Sequence, residues 1–182
     1  FVYPGQGSQW RGMGRELLRT EPVFRSAIER CDRAMRPYVS WSLLDMLTAV
    51  GEKSRFDEVD VVQPCLFAMQ VALTDLWRSR GIAPDAVIGH SIGDVAAAYA
   101  AGALNLAEGA RVICQWSQVV KEASGRGAMV AVQLSFDEAQ EALAGDEDKL
   151  FAAVRVGPRS TVLSGDSASM EQVIAPLRAR GV

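Results

Sequence analysis

The sequence predicts an α/β fold built in two parts, and three observations predict it. A β-branched pair, Val87-Ile88, runs into Gly89-His90-Ser91-Ile92-Gly93 and out again into the Ala-rich run Val95 to Ala101, a strand, tight turn and helix in succession. Long amphipathic or apolar helical runs flank that turn on both sides. After Ser124-Gly125-Arg126-Gly127 the pattern changes to short strands alternating with helices. Residues 1–124 therefore form one part and residues 125–182 a second.

Composition sets the outer bounds. With 182 residues and 49% hydrophobic content the chain is long enough to bury a core. A formal net charge of −3 argues against nucleic acid or an anionic membrane surface as the main partner. No run of 18 apolar residues is present, so no segment is expected to span a bilayer. The chain opens Phe1-Val2-Tyr3-Pro4 without an initiator Met or a signal-like segment, which reads as an excision from something longer. Cys31, Cys65 and Cys114 are too few and too scattered for a disulfide framework or a metal site. They read as reduced core residues of a cytoplasmic protein.

In chain order, Phe1-Val2-Tyr3 is a short strand that breaks into Pro4-Gly5-Gln6-Gly7-Ser8-Gln9. That loop has neither the Gly-Lys-Ser/Thr of a phosphate loop nor a third glycine at dinucleotide spacing, and it reads better as a donor of backbone N–H groups to an oxyanion. Apolar residues recur at helical spacing from Arg15 to Met35, with Pro22 starting a new helix. Trp41 to Val50 gives a short helix, and Arg55 to Asp60 is charged and expected to be exposed. Val61-Val62-Gln63-Pro64 then leads into a buried helix, Leu66 to Trp77, that Gly81 ends. Gln63, just before it, either caps or bridges backbone or faces a pocket. Gly102 closes the helix after Ser91, and a further helix runs from Leu106 to about Ala123, with Trp116 in it as core filling or ligand contact.

In the second part, Ala128 to Leu134 is a strand and Ser135 to Ala144 a helix with a Ser135…Glu138 capping box. Leu150 to Val156 is a strand, Gly157-Pro158-Arg159 a turn, Ser160 to Ser164 a strand and Ser167 to Arg180 a helix. This βαββα series is a ferredoxin-like split βαβ unit lacking its sixth element, a strand, so the chain is expected to be truncated at its C-terminal end.

Ser91 at the apex of the Gly-x-Ser-x-Gly turn has the context of a nucleophile elbow. The flanking glycines leave room for a sharply turned backbone, and the helix that follows aims free N–H groups at an oxyanion. A serine hydroxyl needs a base to take its proton. His90 is the one histidine, and adjacent residues on a sharp turn diverge, so His90 reads as a pocket or packing residue. Either the base lies beyond Val182, or the chain is a binding shell without chemistry.

Four blocks in order, Gly5-Gln6-Gly7-Ser8-Gln9, Val61-Val62-Gln63-Pro64-Cys65-Leu66-Phe67, Gly89-His90-Ser91-Ile92-Gly93 and Gly157-Pro158-Arg159-Ser160-Thr161-Val162-Leu163-Ser164-Gly165, resemble the acyltransferase domain of modular polyketide synthases, kin to malonyl-CoA:acyl-carrier-protein transacylases. The resemblance implies an α/β-hydrolase-like core with a parallel sheet, carrying an inserted ferredoxin-like subdomain, and a catalytic histidine downstream of these residues. It implies that Ser91 is acylated, that the N–H groups of Gln6 and Ile92 form the oxyanion hole, and that Gln63 lies near the acyl group, with His90 and Trp116 also lining the substrate site. No cofactor is bound permanently. Acyl-CoA is the substrate, and the acceptor is the phosphopantetheine thiol of an acyl carrier protein, one partner among the other synthase domains.

The departures from the pattern carry the substrate expectation. Members that take malonyl or methylmalonyl units hold the carboxylate with an arginine in a bidentate fork on the helix after the elbow. Here that segment is Gln115-Trp116-Ser117-Gln118. Losing the partner of a buried carboxylate costs on the order of 3 to 5 kcal/mol. Trp116 therefore resembles loading-module acyltransferases, which select monocarboxylic starter units. Asp94 stands where Glu is usual and Val156 where Asn is usual, while segment 59–63 resembles methylmalonyl-type and Ile92 malonyl-type members. The alternatives are an extender-unit acyltransferase, a serine esterase or thioesterase, and a catalytically silent carrier-binding module.

Overall fold

A computed structural model describes residues 1–49 and 55–181. Its described elements are β1 (Val2–Tyr3), α1 (Arg15–Thr20), α2 (Pro22–Met35), α3 (Leu43–Thr48), α4 (Val59–Ser79), β2 (Ile88–Gly89), α5 (Gly93–Ala101), α6 (Leu106–Ala123), β3 (Ala128–Val132), α7 (Phe136–Ala142), β4 (Leu150–Gly157), β5 (Ser160–Gly165) and α8 (Ser167–Ala179). The chain divides into two units, Phe1–Glu122 and Ala123–Val182.

In the first unit α2, α3 and α5 pack on α4. Its side chains are apolar nearly all round, which suits a helix buried on every side. By length and composition it could cross a membrane, yet 78% of its most apolar window is buried inside the unit, as befits a core helix. Phe24, Ile28, Cys31 and Met35 make a fully buried stripe on α2, with the spacing of one helix face. Pro22 at the first turn of α2 separates it from α1, because a proline is tolerated where no intrahelical N–H bond is needed.

Three readings of this unit are corrected. The third helix starts at Leu43 rather than Trp41, because Ser42 caps it by accepting from the Asp45 N–H at 3.3 Å; its predicted end, Val50, lies outside the described residues. Segment 55–60 is not simply exposed: Phe56 is in the core, and Arg55 forks onto Glu58 with two bonds of 2.6 Å. Lys121 of α6 reaches both Glu58 (3.2 Å) and Asp60 (2.9 Å). The long helix begins at Val59, so Gln63 and Pro64 lie inside it. Pro64 removes only one N–H bond near the start of the helix, and burial of Val61 and Val62 outweighs that loss.

β1 and β2 pair in parallel, Val2 opposite Ile88 and Tyr3 opposite Gly89. The turn after β2 feeds α5, which Gly102 ends in the left-handed conformation at φ 78°. α5 is tied back by the Tyr99 hydroxyl, which donates to Asp75 at 3.2 Å, and Arg30 pairs with the same carboxylate.

In the second unit the strands lie in the order β3-β5-β4, all antiparallel. Val130, Leu163 and Ala152 stand in one row across them. Leu150, Leu163 and Val132 pack with Ala139, Leu143, Met170, Ile174 and Leu177 of the helical layer. The capping box is present in both directions: Glu138 N–H donates to Ser135 Oγ (3.3 Å), and Ser135 N–H to the Glu138 carboxylate (2.7 Å). β3 ends at Val132 rather than Leu134, whose carbonyl accepts from the Thr161 hydroxyl of β5 at 3.0 Å.

Candidate active site

Ser91 occupies the turn between β2 and α5 with φ 55°, the one non-glycine residue at positive φ among the described residues. A non-glycine residue is rarely held there unless its surroundings impose it, and such strain clusters at working sites. The surroundings are backbone. A Cβ on Gly93 would lie 2.1 Å from the Tyr3 carbonyl oxygen, and one on Gly89 would lie 2.4 Å from Asp94 Cα. Both elbow glycines are thus required by close approach rather than by their own torsions. The turn is closed by the Gly93 N–H donating to His90 O (3.0 Å) and the Asp94 N–H to Ser91 O (3.0 Å).

The loop after β1 lies against this turn. A Cβ on Gly5 would be 3.0 Å from His90 O and 3.1 Å from Ser91 Cβ, so only glycine lets the two segments come so near. Gln6 follows at once. Among the described residues no hydrogen bond uses the backbone N–H of Gln6 or of Ile92. For Ile92 this is the ordinary condition of an N–H at the start of a helix, where the dipole is also positive.

Ser91 and Gln6 are exposed, whereas Gln63 is buried at 6% exposure. Gln63 bridges a side chain and not backbone: its Nε2 donates to Gln6 Oε1 at 3.1 Å. Its own Oε1 is buried with no hydrogen-bond partner among the described residues. His90 is exposed, its N–H donates to Tyr3 O at 3.0 Å, and no hydrogen bond joins its ring to the Ser91 hydroxyl among the described residues. Trp116 is 54% exposed on α6, so it does not fill the core; Gly109, Ala110, Ile113, Cys114 and Ser117 of that helix do.

Residues that the sequence reading passed over also shape the loop. Gln70 Nε2 donates to Pro4 O at 2.7 Å, and Thr74 Oγ1 lies 2.8 Å from the Tyr3 hydroxyl. Polar residues at positions 63, 70 and 74 of an apolar helix share one face, and that spacing was the available signal. One cavity of about 480 Å³ has Tyr3, Pro4, Ser8 and Gln70 in its walls, but not Ser91, Gln6 or Trp116. It is therefore not the space in which Ser91 would react.

The arrangement holds an exposed serine on a strained turn next to Ile92 and against the Gly5–Gln6 loop, with the N–H groups of Ile92 and Gln6 free of hydrogen bonds among the described residues, which suits them to stabilise an oxyanion. Comparison with known proteins agrees. The family model described as "Acyl transferase domain" matches residues 1–182. Polyketide synthase GfsB of Streptomyces halstedii is 47% identical over 182 residues, covering 100% of this chain and 3% of that protein. A loading acyltransferase from the avermectin modular polyketide synthase superposes with TM-score 0.91 at 45% identity, covering 99% of this chain and 58% of that one. The acyltransferase domain from module 8 of the salinomycin polyketide synthase does so with TM-score 0.91 at 45% identity, covering 100% and 43%. The chain thus spans a small part of the synthase and about half of the solved domains. Its strained serine turn and its likeness to these proteins along its full length lead to one conclusion: this chain belongs to the acyl transferase domain family, in the form found in modular polyketide synthases.

Proposed function

We propose that this chain carries the nucleophile of an acyltransferase that loads a monocarboxylic starter unit. Ser91 attacks the thioester carbonyl of an acyl-CoA, releases the CoA thiol and holds the acyl group as an oxyester. The phosphopantetheine thiol of an acyl carrier protein then attacks that ester, forming a new thioester and restoring the hydroxyl. Each half passes through a tetrahedral oxyanion that the N–H groups of Gln6 and Ile92 stabilise. Gln63, His90 and Trp116 line the acyl site. The serine takes its base from a histidine downstream of these residues: among the described residues no hydrogen bond joins the ring of His90, the one histidine here, to its hydroxyl. We read residues 1–124 as an α/β-hydrolase-like core and residues 125–182 as a ferredoxin-like subdomain; parallel β1–β2 and the β3-β5-β4 order support this. The setting is cytoplasmic, with no bound cofactor.

The observation that carries the reading is Ser91 at φ 55° with Gly5 packed against it. The choice of starter over extender unit rests on Trp116, because a loading acyltransferase and a module 8 acyltransferase match this chain equally well. An indole gives one N–H and no charge to a carboxylate, where an arginine gives a fork. The test is acylation of the complete domain followed by intact mass. Transfer of acetyl or propionyl from CoA to Ser91, lost in Ser91→Ala, is expected. Efficient malonyl loading without acetyl or propionyl loading would reassign the domain to extender units, and hydrolysis in large excess over thiol transfer would make it an esterase.

A further inference from the structure

The loop that carries the Gln6 N–H lies against the Ser91 turn through Gly5, and something must hold it there. Gln6 follows Gly5, which has no Cβ to restrict its torsions, and Gly5 follows Pro4, which has no N–H of its own. The Gln6 N–H shares its peptide plane with the Gly5 carbonyl, which accepts from Ser8 Oγ at 3.3 Å within the same loop. The carbonyl of Pro4, one residue back, is where the main chain of this loop is tied to the helix behind it. It is held by Gln70, whose Nε2 donates to Pro4 O at 2.7 Å from a side chain that is 8% exposed. Gln70 is itself fixed within α4, where its carbonyl accepts from Thr74 Oγ1 at 2.7 Å. Thr74 in turn receives the Tyr3 hydroxyl at 2.8 Å. Tyr3, Pro4 and Gln6 are thereby fastened to one face of one rigid helix, through Thr74, Gln70 and Gln63. Of these three bonds, only that from Gln70 ends on the main chain that carries the oxyanion donor.

We propose that Gln70 is a positioning residue for catalysis: by holding the Pro4 carbonyl it keeps the Gly5–Gln6 peptide packed against the Ser91 turn. The inference rests on the reading above, in which Gln6 is one of the two oxyanion donors. Gln70 does not touch substrate. Its loss should leave acyl-CoA binding nearly unchanged and weaken only the interaction made as charge develops on the carbonyl oxygen. Both half-reactions use the same N–H, so both should slow by the same factor.

The experiment uses the complete acyltransferase domain and whichever of acetyl-, propionyl- and malonyl-CoA the native domain loads fastest, with pantetheine as acceptor thiol. Gln70→Leu keeps the volume, and Gln70 borders a cavity that leaves the new side chain room. Ser91 acylation and thiol transfer should each slow about 100-fold, the cost of a misplaced group, with KM within about twofold. Gln70→Glu supplies a readout that a merely structural role would not move, and it also serves if Gln70→Leu fails to fold. A carboxylate cannot donate to Pro4 O and a carboxylic acid can. Its rate relative to the native domain should therefore climb as pH falls through the titration of the new carboxyl, with no such climb in Gln70→Leu. Rates within threefold of native in either variant at pH 7.5, or a loss confined to KM, would overturn the proposal while leaving the Ser91 reading intact. Acyl-enzyme persisting in Ser91→Ala would instead remove the reading on which the proposal stands.

Discussion

The Cβ that Gly93 lacks would stand 2.1 Å from the carbonyl oxygen of Tyr3, inside van der Waals contact with the backbone of the neighbouring strand. Neither partner can yield, because β1 is paired to β2 at Tyr3 and Gly93 opens α5. Gly93→Ala should therefore cost more than about 3 kcal/mol, above the usual range for one added methyl in a packed region. Gly7→Ala is the control: nothing lies within 4 Å of its Cβ position, and only its φ of 120° opposes the change. It should cost about 1 to 2 kcal/mol. Urea denaturation of both variants checks the order.

Trp116→Arg separates a substrate role from a packing role. The indole is 54% exposed and its neighbours along that face, Val112 and Val119, are exposed as well, so little burial is at stake. Stability should stay within about 0.5 kcal/mol of native, as for surface changes in general. A guanidinium there supplies the fork a malonyl carboxylate lacks, so the ratio of malonyl to propionyl loading should rise at least roughly tenfold, the worth of a charge-assisted hydrogen bond. Competition between the two CoA esters, read by mass, measures that ratio. An unchanged ratio would remove Trp116 from the substrate site.

The elbow was legible because its causes are local. Gly89 is demanded by Asp94, five residues on, and an Ala-rich run marks the helix whatever surrounds it; Gly93, demanded by Tyr3 of the paired strand, is the exception. The capping box at Ser135 and Glu138 was legible for the same reason. Where tertiary burial competes with local propensity the reading failed. Pro64 looks like a boundary in sequence, but it sits inside α4 because Val61 and Val62 are fully buried ahead of it. Phe56 was hidden among charges that turn out to pair with one another and with Lys121. Gln70 was passed over because a glutamine inside a buried helix names no partner by itself, and only the contact of α4 with the Pro4 loop gives it a task.

The ion cluster at the start of α4 makes a prediction about pH. The Arg55 fork, helped by Lys121, holds the Glu58 carboxyl down from 4.5 to about 2. A carboxyl lowered on folding contributes stability that is present above its unfolded value and lost as pH falls. The stability difference between native protein and Glu58→Gln should thus be constant above about pH 5, shrink between pH 4.5 and 2, and vanish below. The cluster is only half-buried and open to solvent on one side, so the difference should stay below about 1 kcal/mol and fall further in 1 M salt. Denaturant titrations of the two proteins across that range measure it, and a difference independent of pH would show that the cluster contributes nothing to folding.

The buried thiols bear on how the acyl-enzyme is recognised. Burial pushes Cys31 and Cys114 up to about 12 and Cys65 higher still, so thiolate is scarce at any working pH. All three are fully buried among the side chains around α2, α4 and α6. Iodoacetamide at pH 8 should modify none of them in the folded protein and all of them after denaturation, counted by mass. An acyl adduct on the folded chain is therefore not expected on a thiol, and one on Ser91, an oxyester, should resist neutral hydroxylamine, which cleaves thioesters. Release of the acyl group under that treatment would place it on a cysteine, and the exposed hydroxyl of Ser91 would lose its claim to the chemistry.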